Sequence, residues 1–519
     1  MKPDEFAAEK YAVIMGHSGD VLCYGEMAER SRRFARYLHN CGLRSGDVAA
    51  LLFDNRAEFF EVLWGAHRLG LSYTLLNWHL SAQEVAYVLQ DSGARALIVS
   101  DHLVSLGESV AGVIPDAGCC LLVGNSSPPP GFTAYQAAIA KIPDEPLPDE
   151  LEGQPMLYSA GTTGRPKGIK QELDRLPFGT TSNTETWLRH CFAFDDTSVL
   201  LCPAPLYHAA PLAWAMTAQR IGATVVLMEQ FDAIEVLRLV ERYRITHAFM
   251  VPTHFVRLLK LAESDRHGYD LSSLKFVVHA GAPCPVDIKE QMLAWWGPIL
   301  HEYYSCSEGI GLTMISPADW RDHRGSVGRA VGCEMRIMSE AGAELPIGEE
   351  GLVYFTGGVP FRYHNAPEQT AAAHDKNGWA TVGDMGYLDA DGFLYLTGRS
   401  SHMIISGGVN IYPEEIENIL ILHPAVADVA VIGIPHAEFG EEVKALVVPS
   451  DALSTTCATA HDLIGYCRSR LAHFKCPRSI EFVESLPRLP TGKLAKRLLK
   501  GRYGSPLAAS PVFNSSPHQ

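Results

Sequence analysis

Hydrophobic positions along this chain gather into short runs. "VAALLF" (Val48–Phe53), "RALIVS" (Arg95–Ser100) and "CCLLVG" (Cys119–Gly124) read as buried strands. Between the first two, "AEFFEVLWGAHRLG" repeats its apolar residues at helical spacing. Strand alternating with helix predicts an α/β layered sheet. The loop compositions "NSSPPPGF" and "IPDEPLPDELEGQP" come next and lead into "PMLYSA", a short strand. From about Cys191 to Trp320 a second α/β pattern appears, with strands at "TVVLM", "HAFMVP" and "LKFVVHAG" and a helix near "AIEVLRLVERY". The longest apolar stretch, "HAAPLAWAMTAQRIGATVVLM", is broken by Gln219, Arg220 and Gly222. It predicts a buried helix turning into a strand, not a membrane span.

The texture then changes. Between Gly325 and Gly398 glycines are frequent and strands short ("EMRIM", "GLVYFTGG", "FLYLTG"), which predicts a small β-rich subdomain. After Arg399 the chain restarts as a compact α+β unit. In "YPEEIENILILH", Pro413 opens a helix whose first turn carries two glutamates, favourable for its dipole. "ADVAVIGIP" and "EVKALVVP" read as strands, and the Pro/Ser-rich end "GSPLAASPVFNSSPHQ" as disordered. The expected architecture is therefore α/β. A large N-terminal domain (1–399) holds two α/β layered subdomains and the β-rich one. A small α+β C-terminal domain (400–503) and a tail (504–519) follow.

Composition narrows the function classes. A chain of 519 residues exceeds one hydrophobic core. A formal charge of −16 argues against general affinity for nucleic acid or anionic membrane. The basic run "KLAKRLLKGRYG" opposes that balance and reads mostly as a solvated helix face. "MKPDEFAAEK" has no apolar core of a secretory signal. Twelve cysteines without a Cys-x-x-Cys pair fit reduced, mostly buried thiols, so the expected compartment is the cytoplasm.

The densest chemistry lies in "YSAGTTGRPKG" (Tyr158–Gly168). Glycines let backbone N–H groups face an anion, hydroxyls add donors, and Lys167 adds a fixed cation. The loop suits a polyphosphate, yet it is not a Walker A loop, because Lys167 follows Pro166 and precedes Gly168. Instead, "SAGTTGRPKG" closely resembles the phosphate-loop signature of the adenylate-forming superfamily, which includes acyl-CoA synthetases, adenylation domains and firefly-type luciferases. Further motifs follow in that family's order, from "NWHLSAQEVAYVLQDSGARALIV" to "LPRLPTGKLAKR".

The resemblance implies roles residue by residue. Ser159, Gly161, Thr162, Thr163, Gly164 and Lys167 would hold the phosphates of ATP. Gly281 and Ala282 in "HAGAPCP" would lie against adenine. In "EYYSCSEG", Tyr304 would stack on the base, Ser307 would bind phosphate and Glu308 would hold Mg2+; a carboxylate is a suitable hard ligand there. Asp384 in "TVGDMGYLD" would grip the ribose hydroxyls, and Arg399 would reach ribose or phosphate. Lys493 in "LPTGKLAKR" would be the mobile lysine bridging substrate carboxylate and α-phosphate. Rotation of the C-terminal domain about Arg399–Ser401 would then bring Gly407 and Gly408 in to line a tunnel for the coenzyme A thiol. Departures from the family pattern are Ala160, Ser305, Ser401 and His402, which bear on domain rotation more than on chemistry.

The implied activity is that of an AMP-forming acid–thiol ligase, an acyl-CoA synthetase using ATP, Mg2+ and coenzyme A. In "PLYHAAPLAW", His208 would sit at the mouth of the acyl pocket. Ala209, Ala210, Trp214, Ala280, Gly309, Ile310 and Gly311 would line it, and their small or apolar character points to a fatty, aryl or steroid side-chain acid. His208 is also readable as a buried histidine satisfied by backbone. The partners expected are the small-molecule carboxylic acid, ATP and CoA, with neither nucleic acid nor stable membrane insertion, and with a homodimer left open. The chief rival is a stand-alone adenylating enzyme that loads a carrier protein; a non-catalytic nucleotide-binding regulator is the other.

Overall fold

The computed structural model describes residues 2–115, 119–159, 166–171, 176–399, 402–406, 409–436, 439–450, 458–488 and 494–503. The phosphate-loop residues Gly161, Thr162, Thr163 and Gly164, together with Gly407, Gly408 and Lys493, lie outside them, as does the side chain of Ser159. The chain divides into two compact units. The first comprises Met1–Arg336, Tyr354–Val382 and Asp389–Leu394, and the second Ile337–Val353, Gly383–Leu388 and Tyr395–Gln519.

Two large sheets build the first unit. In one, Val48–Leu52 lies between Ser72–Leu76 and Ala94–Ser100, all parallel, with Cys120–Val123 beyond. Every residue of Val48–Leu52 is buried. That is why this strand is apolar throughout: helices cover a parallel sheet on both faces. On the other side Gln154–Ser159 joins in parallel, then turns back as Lys167–Gln171, which pairs antiparallel with Phe361–Tyr363. In the second sheet Val199–Cys202, His247–Met250, Phe276–His279 and Leu300–Ser305 run parallel in that order. Thr224–Leu227 flanks Val199–Cys202 and pairs in turn with Tyr11–Met15, a strand from the start of the chain.

The predicted helices form where apolar spacing placed them. Glu58–Arg68 packs on Tyr24–Asn40 around Phe34, Phe59, Phe60 and Trp64, and Ala209–Ile221 leads through Gly222 into the strand Thr224–Leu227. A buried network fastens this second helix. The Arg220 guanidinium donates to both carboxylate oxygens of Glu152, and His67 Nδ1 lies 3.1 Å from Glu152 Oε2. Burial alone would raise the Glu152 carboxyl; bonds from His67 and Arg220 outweigh it and hold the pKa down at about 2.

In the second unit, strands Val426–His436 and Gly440–Pro449 form a long antiparallel pair, and Ser479–Phe482 adds in parallel. Strand alternation splits their apolar residues between two cores. Val429, Val431, Val443, Ala445 and Val447 meet the helices Pro413–Leu420 and Ala460–Arg468, while Ala430, Ile432 and Leu446 meet Leu486 and Leu499. The basic run departs from its expected solvated face at one position. Lys496 is 5 % exposed, and its Nζ lies 3.1 Å from Glu414 Oε1 and 2.9 Å from Glu417 Oε1. A buried ammonium is tolerable there because two carboxylates flank it.

Candidate active site

Ligands of open α/β sheets bind beyond the carboxyl ends of the parallel strands. Three predicted site segments leave parallel strands of the second sheet at that edge. Pro205–His208 follows Val199–Cys202, Gly281 and Ala282 follow Phe276–His279, and Ser307 and Glu308 follow Leu300–Ser305. Gly281 adopts φ +86°, a conformation that favours glycine, and both it and Ala282 are exposed, leaving open backbone at the turn. Tyr304, half-buried, has its ring centroid 6.1 Å from that of Phe355.

Glu308 is 7 % exposed, and no Lys, Arg or His makes an ion pair with it among the described residues. Its Oε1 accepts a hydrogen bond from the Tyr363 hydroxyl at 2.9 Å. The turn beyond it is tight: Gly309 has φ +72°, and a Cβ there would stand 2.7 Å from Gln171 Nε2. Gln171 belongs to the strand that Lys167 opens, so the Glu308 turn abuts the strand of the predicted phosphate lysine. Lys167 Nζ lies 5.0 Å from the centroid of the Tyr363 ring, within cation–π range. Ser159 is the backbone partner of Lys167 across the hairpin.

These residues fit a magnesium ion. Mg2+ accompanying a nucleotide takes only one or two protein carboxylates, with phosphates and water completing the octahedron. A buried carboxylate with no cationic partner among the described residues is a donor set of that kind. Among the described residues no cluster of three or more His, Cys, Asp or Glu would form an all-protein metal cage.

His208 caps the helix Ala209–Ile221, with its ring 4.5 Å from that of Tyr207. Among the predicted pocket residues, Trp214 is 2 % exposed. It stacks on Phe249 at 5.4 Å and on Tyr303 at 6.4 Å, with Trp187 edge-on at 5.8 Å. Ala280, Ile310 and Gly311 are buried as well, whereas Ala209, Ala210 and Gly309 are half-buried. In the second unit Asp384 and Arg399 come together: Nε of Arg399 lies 2.9 Å from Asp384 Oδ1, joining the ends of two strands.

Sequence reasoning passed over two groups. Tyr363, in "FRYHNAPEQT", is one; the available signal was a tyrosine and a histidine placed just before a Pro-Glu helix start. The other lies beneath the Gly281 turn, where Lys289 Nζ meets Glu302 Oε2 at 2.5 Å and His279 Nε2 lies 3.5 Å from the same oxygen. Burial drives the His279 imidazolium well below its ordinary range, with Lys289 adding to the effect. Burial also raises Glu302, which Lys289 opposes.

The geometry is that of an α/β protein whose predicted site segments gather at the carboxyl edge of its sheets. Comparison with known proteins gives the family. The AMP-binding enzyme model matches residues 3–362, and the AMP-binding enzyme C-terminal domain model matches 415–493. A feruloyl-CoA synthase from Amycolatopsis sp is 34 % identical over 95 % of this chain and 96 % of its own. A fatty acid–[acyl-carrier-protein] ligase, ScoC, from Streptomyces coeruleorubidus is 31 % identical over 93 % and 92 %. The crystallised o-succinylbenzoate coenzyme A synthetase of Bacillus subtilis, in complex with ATP and magnesium ion, superposes with TM-score 0.80 at 27 % identity over 96 % and 98 %. The chain belongs to the AMP-binding enzymes of the adenylate-forming superfamily, as its motifs implied, and has their α/β fold. It is an acid:CoA ligase of the AMP-forming acyl-CoA synthetase class, working on an acid with ATP, Mg2+ and CoA. Among the described residues no helix is long and apolar enough to cross a membrane.

Proposed function

We propose that the protein activates an apolar, ring-bearing carboxylic acid and transfers it to CoA in the cytoplasm. The observation that carries this reading is the buried Glu308, uncompensated by a protein cation among the described residues, beside the strand that Lys167 opens. The acid's carboxylate attacks the α-phosphorus of ATP and pyrophosphate leaves. No general base is needed, because the nucleophile is already ionised at pH 7. What the step needs is positioning and positive charge. Lys167 supplies a fixed cation and Lys493 a mobile one, loop donors from Ser159 to Gly164 hold the phosphates, and Ser307 adds a hydroxyl. Glu308 would hold Mg2+, which when bound would neutralise charge at the phosphate oxygens.

Tyr304 and the Gly281–Ala282 backbone hold adenine in this reading, and Asp384 and Arg399 the ribose. Domain 400–503 turns about Arg399–Ser401 after adenylation, so that Lys493 withdraws and Gly407 and Gly408 line the thiol's path. The thiol sulfur then attacks the acyl carbon and AMP leaves. Two observations support a ring-bearing acid: half-buried Ala209 and Ala210 beside His208, and likeness to a feruloyl-CoA synthase. A second reading, transfer to a carrier protein, is supported by the likeness to ScoC.

The test is pyrophosphate release from ATP and Mg2+ across a panel of aryl, fatty and steroid acids, with CoA or a phosphopantetheinyl carrier protein as acceptor. Aryl acids with CoA are expected to give the highest kcat/KM. Release with fatty acids alone would overturn the acid class. Acylation of the carrier protein but not of CoA would favour the second reading.

A further inference from the structure

We propose that Tyr363 is a positioning residue that sets Glu308 and Lys167 at a fixed separation before the nucleotide arrives; this rests on the reading of those two residues as the metal and phosphate groups. One side chain touches both. Its hydroxyl donates to Glu308 Oε1 at 2.9 Å, and its ring faces the Lys167 ammonium at 5.0 Å. The phenol thus gives the buried carboxylate a hydrogen bond without neutralising it, so the charge stays available to a cation. It occupies one carboxylate oxygen with a donor that a metal need not displace. The ring meanwhile holds the ammonium by its quadrupole, again without cancelling its charge.

The backbone around Tyr363 is itself locked. Tyr363 pairs with Ile169 across the antiparallel strands. Its N–H donates to Thr370 Oγ1 at 3.0 Å, and the N–H of His364 donates to Gly168 O at 2.7 Å. His364 Nε2 lies 3.0 Å from Asp91 O, and Asp91 Oδ2 accepts from the Tyr158 hydroxyl at 2.6 Å. Tyr158 is the backbone partner of Gly168, so this polar cluster ties the strand entering the phosphate loop, the strand leaving it and the Tyr363 strand into one frame. A side chain held so firmly is suited to keep two groups from distant parts of the chain in register.

The experiment measures binding, not turnover, on the full chain. An ATP analogue with a methylene α–β bridge is titrated by calorimetry at rising Mg2+, for wild type, Tyr363→Phe, Tyr363→Leu, Glu308→Gln and the double variant Glu308→Gln/Tyr363→Phe. Tyr363→Phe keeps the ring and loses the hydroxyl. It is expected to need about tenfold more Mg2+ for half-maximal nucleotide binding, the worth of one hydrogen bond to a charged group. Its metal-free nucleotide affinity should stay within about twofold of wild type. Tyr363→Leu should weaken metal-free binding as well. The double variant should match Glu308→Gln, because the metal-holding carboxylate that the bond positions is already gone there. A wild-type Mg2+ requirement in Tyr363→Phe would overturn the proposal, as would additive losses in the double variant. So would equal loss of metal-free and metal-dependent affinity in Tyr363→Phe, which would mark a packing residue. If Glu308→Gln itself keeps the wild-type Mg2+ requirement, the metal reading of Glu308 has failed, and the proposal with it.

Discussion

Glu302, within the strand Leu300–Ser305, and Glu308, just beyond it, stand six residues apart, both nearly out of solvent, and their surroundings are opposite. Glu302 is closed by the Lys289 ammonium at 2.5 Å, with the neutral His279 ring beyond it. Glu308 receives only a phenol hydroxyl, 2.9 Å away, and no protein cation among the described residues. The contrast separates two uses of a buried carboxylate. One is paired within the protein and fastens the helix Val286–Trp296 to the strand Leu300–Ser305, beneath the Gly281 turn. The other, under the proposed function, serves a ligand's metal. Burying a charge is costly unless it is compensated, and under the proposed function a nucleotide's metal would supply that compensation.

Breaking the paired carboxylate should have the largest effect. Glu302→Gln leaves Lys289 buried without its counter-charge, which typically costs about 3–5 kcal/mol, so thermal or denaturant unfolding should shift sharply. A near wild-type midpoint would mean that the pair is dispensable. Glu308→Gln should show the reverse profile. Turnover should fall by about 10²–10³, the usual loss on removing one preorganised electrostatic group, while unfolding stays close to wild type. Loss of stability with retained turnover would exchange the two roles.

Glu152 sharpens the comparison by pH. Its folded-state carboxyl is held at about 2, below its ordinary value of 4.5, so its contribution is present above about pH 4.5 and is lost as pH falls towards 2. Glu152→Gln should therefore lower stability at neutral pH by on the order of 2 kcal/mol and flatten acid unfolding across that window. An unchanged acid limb would remove Glu152 from the set of paired carboxylates.

Much of this was readable before the structure. Largely apolar runs located Val48–Leu52, His247–Met250 and Phe276–His279, because strands buried on both faces carry few polar positions. Helical spacing located Glu58–Arg68 and Ala233–Tyr243. Long-range pairing was not readable. Nothing local in Tyr11–Met15 says that it joins Thr224–Leu227, nor in Phe361–Tyr363 that it joins Lys167–Gln171. The same limit governs the site. Motif order pointed to Glu308 and Lys167, whereas Tyr363 reaches them only through that non-local pairing. Lys496 looked like one charge of a solvated face, because Glu414 and Glu417, which flank it, come from a helix about eighty residues earlier.

Manganese, a paramagnetic substitute for magnesium, reports on the open carboxylate itself. Electron paramagnetic resonance of Mn2+ titrated into the protein with a non-cleavable ATP analogue should reveal a nucleotide-dependent site in wild type. That site should weaken at least about tenfold in Glu308→Gln and persist unchanged in Glu152→Gln. Wild-type Mn2+ affinity in Glu308→Gln would contradict the assignment of this carboxylate to the ligand's metal.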